Sequence, residues 1–124
     1  MLTKLMYVFI GGGIGSALRF GISLLMLNIS KTVFPVATLI SNLLSCLVLG
    51  IAVFLLGEKF NSEISLRLLI ISGFCGGFST FSAFSYETIE LMKSGNILYA
   101  VLNVLLSVSA CLGIIYLFTR SQAV

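Results

Sequence analysis

The chain has 124 residues, 59% of them hydrophobic and only 9% charged, with a net charge of +3 and a mean hydropathy of +1.19. Soluble domains carry roughly 25% charged residues, and one of this size buries only about two-thirds of its surface. Its own core could not hide so much apolar surface, so lipid must solvate it, which excludes a soluble enzyme; no nucleic-acid partner is expected.

A membrane helix needs about 20 mostly apolar residues. The first such run spans 5–27. It is too long for a secretory signal peptide and contains Arg19. Gly11, Gly15 and Arg19 recur every four residues and share one helix face. The glycines permit close approach of a second helix. A cation in lipid is costly unless it snorkels or finds a partner. Arg19 therefore either snorkels to the near end of its span or draws anions to a pore vestibule.

After a polar joint at 28–31, the second run spans 34–56, with Pro35 near its start, where a missing N–H costs little. Thr38, Ser41, Asn42 and Ser45 form a single polar stripe at i, i+3, i+4, i+7. Hydroxyls can bond back to their own helix. An amide with two donors and an acceptor cannot be fully satisfied that way. Asn42 is either inter-helix glue or a donor facing a ligand.

A joint at 57–63 leads to the third run, 66–91. Here Gly76 and Gly77 precede the hydroxyls of Ser79, Thr80, Ser82 and Ser85, a combination that weakens a helix. Broken membrane helices are tolerated where the freed backbone lines a cavity or binds an ion. Carbonyls near Gly76 and Ser79 could coordinate a cation. Phe81 and Phe84 share a face beyond the break; core packing is the ordinary role for such a pair. A joint at 93–96 opens the fourth run, 97–118, where Tyr99, Asn103, Ser107 and Cys111 make a second polar track. Inter-helix hydrogen bonding is its ordinary role.

These runs predict one all-α domain, 1–124, with four transmembrane helices running alternately up and down. Continuous apolar runs exclude a β-barrel. Gly57 and Gly95 suit caps or turns. Lys4, Lys59, Arg67 and Arg120 fall on one side of the bilayer and Lys31 and Lys93 on the other, so the Lys/Arg bias is slight and insertion in both orientations is permitted. Four short helices cannot shelter all these polar groups alone, which predicts a homo-oligomer, a dimer in the simplest case. Cys46, Cys75 and Cys111 are an odd set with no histidine in the chain, and are read as packing residues. Glu87 and Glu90 lie near the end of the third span, so the membrane core offers neutral donors and one arginine. That suits a small anion better than an organic cation or a proton-coupled pump, and aromatic ring edges add positive potential.

Three blocks together resemble the Fluc (CrcB-type) fluoride channels: GGIGSALRF at 12–20, PVATLISN at 35–42 and, most specifically, GFCGGFSTFSAFSYE at 73–87. The resemblance covers nearly the whole chain. It implies an antiparallel, dual-topology homodimer in the cell (inner) membrane that exports fluoride passively and confers fluoride resistance. It implies a structural Na⁺ at the dimer centre on backbone carbonyls matching Gly76 and Ser79. It places Asn42, Phe81, Phe84 and a hydroxyl of Thr80 or Ser82 in the fluoride pore, with Arg19 at its vestibule. Asn103 and Ser107 match the family's fourth-helix track. Ala83 departs from the family pattern, removing a hydroxyl beside the phenylalanines. The rival reading, a small multidrug-type transporter of dual topology, requires an acid deep in the first span, and none is there.

Overall fold

The computed structural model describes residues 1–120. The described chain is all-helical: α1 (Leu2–Ile29), α2 (Val36–Ser62), α3 (Ile64–Arg67), a π-helical stretch (Leu68–Cys75), α4 (Gly76–Phe78), α5 (Phe81–Lys93) and α6 (Ile97–Thr119). These make 4 spans long and apolar enough to cross a membrane, the third being Ile64–Lys93. The protein is a multi-pass membrane protein.

Most helices overrun their apolar stretches by a few residues, because backbone bonding continues into polar sequence. The residues after Gly57, expected as a joint, continue α2 to Ser62 beyond a sharp kink at Gly57 (φ 50, ψ −126). Gly95 (φ 86) turns the chain between α5 and α6. Both positions need the positive φ that glycine adopts freely. Pro35 is the N-cap of α2.

The burial pattern inverts that of a soluble protein. Ser41, Ser45, Asn103 and Ser107 are buried, while leucines, isoleucines and phenylalanines of every span face outward. Lipid accepts those side chains, and the protein interior shelters the polar ones.

α1 packs chiefly along the π-helical stretch and α4, α2 along α6, and α5 along α6. The first of these contacts is a crossing of glycine faces. A Cβ on Gly11 would strike the Leu69 carbonyl, one on Gly15 the Phe74 carbonyl and one on Gly77 the Gly12 carbonyl. Since backbone cannot yield as a flexible side chain does, Gly15→Ala should destabilise the protein by about 1–3 kcal/mol or more through overpacking. Gly13, with nothing within 4 Å of an added Cβ, should tolerate alanine or gain up to ~1 kcal/mol from helix propensity. Thermal unfolding in detergent compares the two.

The third span is broken, though not at its glycines. Gly76 is helical (φ −63, ψ −34). The chain leaves the helix at Ser79 (φ −88, ψ 154) and Thr80 (φ −148, ψ 118). The interruption expected ahead of Phe81 thus falls on the hydroxyl residues of that run, just past the glycines. Gly77 serves the crossing with α1, and side-chain hydrogen bonds carry the break. Thr80 Oγ1 accepts the Ala83 N–H at 3.2 Å and so caps α5. Ser79 Oγ donates to the Cys75 carbonyl at 2.7 Å and closes the preceding turn.

Candidate functional site

Asn42 on α2 holds the break open. Its Oδ1 accepts the Thr80 N–H at 2.9 Å. In an unbroken helix that N–H would bond to the Gly76 carbonyl. One amide oxygen thus compensates the backbone donor that the break releases, and the two Nδ2 donors remain for other work. Asn42 is inter-helix glue through its oxygen and an available donor through its nitrogen.

Beside the break lies a cavity of about 300 Å³ lined by Asn42, Ser79, Thr80, Phe81, Phe84 and Ser107, with Cys46 and Cys111 also in its wall. The Phe81 and Phe84 rings sit 5.7 Å apart at 40°. Phe84 is 9% exposed, whereas Phe81 is 79% exposed. The wall therefore combines an amide, hydroxyls and ring edges, all uncharged, on three different helices.

Two expected site residues stand outside this lining. Ser82 is exposed, with its Oγ 3.2 Å from Thr80 Oγ1. Asn103, 1% exposed, is buried between α5 and α6. Its Nδ2 donates to Thr88 Oγ1 at 2.9 Å and its Oδ1 accepts from Ser107 Oγ at 3.3 Å. Thr88 in turn donates to the Phe84 carbonyl at 2.7 Å. This chain of bonds ties the fourth-helix track to the helix that carries the phenylalanines.

Arg19 reaches the break from α1. Its Nε donates to the Gly77 carbonyl at 3.1 Å, and Ser16 Oγ donates to the same oxygen at 3.5 Å. The interruption removes the helical donor of that carbonyl, and α1 supplies substitutes. The Gly76 carbonyl loses its helical donor to Asn42, and Gly76 is exposed. Ser79 is in extended conformation, outside the helical hydrogen-bond ladder. Both carbonyls are therefore of a kind that suits a hard cation.

Three residues of the α2 polar stripe, Thr38, Asn42 and Ser45, bond to the third span. Ser45 Oγ donates to the Cys75 carbonyl at 3.2 Å, and Thr38 Oγ1 donates to Glu87 Oε1 at 2.7 Å. Ser41 Oγ and Glu87 Oε2 are buried without a partner among the described residues. The sequence reading passed over the Thr38–Glu87 bond and took the two cysteines of the cavity wall for packing residues. The i+7 offset of Thr38 from Ser45 pointed to the first, since it puts both on one face. The position of Cys111 at the end of the polar track pointed to the second.

A thin four-span bundle with an interrupted third helix, capped from a neighbouring span and opening on an uncharged, mostly apolar cavity with a few polar side chains in its wall, defines a membrane protein built around an ion or small-solute path. The family model described as "CrcB-like protein, Camphor Resistance (CrcB)" matches residues 6–118. The "Fluoride-specific ion channel FluC" of Azobacteroides pseudotrichonymphae genomovar. CFP2 is 43% identical over 116 residues, covering 90% of this chain and 93% of the relative. The protein of the same description from Serratia proteamaculans (strain 568) is 41% identical over 112 residues, 90% of this chain and 87% of the relative. That from Coxiella burnetii (strain CbuK_Q154) is 41% identical over 110 residues, covering 88% and 89%. The chain belongs to the CrcB family.

Proposed function

We propose that the chain is a fluoride-selective channel that exports F⁻ passively and so lowers cytoplasmic fluoride. The carrying observation is the cavity that gathers Asn42, Thr80, Phe81, Phe84 and Ser107 at the helix break. The names of the relatives point the same way. Fluoride is small and strongly hydrated, so a path for it must replace water with close donors. Asn42 Nδ2, the Thr80 hydroxyl proton and the positive ring edges can do so without a fixed charge that would trap the ion. Hydrogen fluoride crosses lipid unaided and ionises in a more neutral cytoplasm. A passive path then suffices, with no nucleotide or proton coupling.

Each remaining residue has a part in this scheme. Arg19 commits Nε to Gly77, and its other guanidinium donors have no partner among the described residues, which suits an anion-attracting vestibule. Ser107 lines the path, and Asn103 fixes its hydroxyl. Ser82, donating to Thr80 Oγ1, would leave the Thr80 proton free for the path.

The functional unit is an antiparallel homodimer. Interrupted backbone and the exposed Gly76 cannot face hydrocarbon. A second copy covering them answers that need, and the near-even Lys/Arg distribution allows it to insert upside down. Na⁺ would be held at the dimer centre by the Gly76 and Ser79 carbonyls. It would supply a fixed positive charge that offsets carbonyl dipoles at the break.

Expression in a bacterial strain stripped of its own fluoride exporter tests the biological side. Growth on fluoride medium should be restored to the level of a fluoride-resistant strain. A strain that makes the protein in its membrane yet stays fluoride-sensitive would contradict the reading.

A further inference from the structure

The fold sorts the three cysteines into two environments. Cys75 is buried and locked to α2 by a reciprocal pair: Ser45 Oγ donates to its carbonyl at 3.2 Å, and its Sγ donates to the Ser45 carbonyl at 3.5 Å. Cys46 on α2 and Cys111 on α6 instead both line the cavity beside the break. Both thiols thus face the same cavity of about 300 Å³. Both helices are long and packed along each other, so the pair projects from rigid elements and not from loops.

We infer that Cys46 and Cys111 form a two-thiolate site for a soft, linearly coordinating divalent cation, with Hg²⁺ as its type, in the wall of the cavity. Thiolate sulfur selects soft metals over hard ones. No third His, Cys, Asp or Glu joins the pair into a larger cluster among the described residues. Zinc, which takes four ligands in structural sites and three in catalytic ones, is therefore poorly served. A two-coordinate metal is served fully. Charge decides further. Two thiolates and a divalent cation sum to zero, which a low-dielectric cavity tolerates. A monovalent soft cation would leave a net negative charge, which burial penalises.

The binding step balances without any oxidant. Each thiol releases its proton to water, two sulfur–metal bonds form, and neither sulfur nor metal changes oxidation state. Binding stands apart from conduction. Blockage of conduction rests on the cavity being the fluoride path: a metal bridging Cys46 and Cys111 would sit in the same wall as Asn42 and Ser107.

Purified protein in detergent, titrated with mercuric ion, tests the site through the near-ultraviolet sulfur-to-mercury absorption band and through proton release. The expected result is saturation at one metal per chain with about two protons released per metal. Cys46→Ser and Cys111→Ser should each abolish the saturable band, Cys75→Ser should keep it, and Zn²⁺ should not compete. A saturable band surviving in both Cys46→Ser and Cys111→Ser, or lost in Cys75→Ser alone, would overturn the assignment. Fluoride efflux measured on the same preparations separates the two claims. Block by mercuric ion, reversed by excess dithiol and absent from the serine variants, supports site and path together. Binding to the pair with undiminished efflux upholds the site and contradicts the cavity as the path.

Discussion

Asn42→Asp should cut fluoride throughput by roughly 100-fold or more. Two like charges about 4 Å apart repel by about 4 kcal/mol at an effective dielectric of ~20, and each ~1.4 kcal/mol is a factor of ten in rate. The substitution is informative because it separates the two jobs of the side chain. Aspartate still offers an oxygen to the Thr80 N–H, now bonded to Asn42 Oδ1 at 2.9 Å, so the helix break keeps its support. What changes is the face toward the cavity, where a donor becomes a fixed negative charge. Asn42→Ala does the opposite. It adds no charge but leaves the Thr80 N–H without its partner, which should lower stability by about 1–3 kcal/mol. Thermal unfolding should therefore rank alanine below aspartate, and fluoride efflux should rank aspartate as inactive. Normal efflux from a well-folded Asn42→Asp protein would remove Asn42 from the path.

The double change Phe81→Ile with Phe84→Ile should reduce fluoride flux by about 5- to 150-fold, each ring edge contributing ~0.5–1.5 kcal/mol as aromatic contacts do elsewhere. Isoleucine keeps apolar bulk and removes the positive edge. The rings stand 5.7 Å apart, and one of them, Phe81, is 79% exposed. Unchanged flux in the double variant would assign the pair to packing or to the cover provided by a second copy. Measured with a fluoride electrode at matched protein density, the two outcomes are far apart.

Much of this architecture is legible in one sequence because membrane spans obey a simple length and polarity rule. The third-span interruption was readable for the same reason: glycines and hydroxyls have no ordinary place in a lipid-facing helix. Its place ahead of Phe81 was readable too, but the residues that leave the helix were not. Gly76 and Gly77 look like the weaker point by helix propensity, yet they stay helical and the chain opens at Ser79 and Thr80. Tertiary contact decides this. The Gly77 face is pressed onto Gly12, and the Thr80 N–H is drawn off by Asn42. Periodicity placed Thr38, Ser41, Asn42 and Ser45 on one face but could not name their partners. Those lie 30 to 49 positions away in sequence. The fourth-helix track was visible as a spacing of four. That Asn103 would be enclosed by Thr88 and Ser107 while Cys111 entered the cavity wall depended on how α6 rotates against α5 and α2.

Uncharged donors gathered at this break should carry fluoride across lipid. The most direct measurement is a fluoride-electrode record from vesicles loaded with fluoride and reconstituted with the purified protein. Fluoride should leave down its gradient as soon as the membrane potential is clamped, with no nucleotide or proton gradient supplied, and chloride-loaded vesicles should hold their chloride. Vesicles that contain folded protein yet keep their fluoride, or that release chloride equally well, would contradict that role.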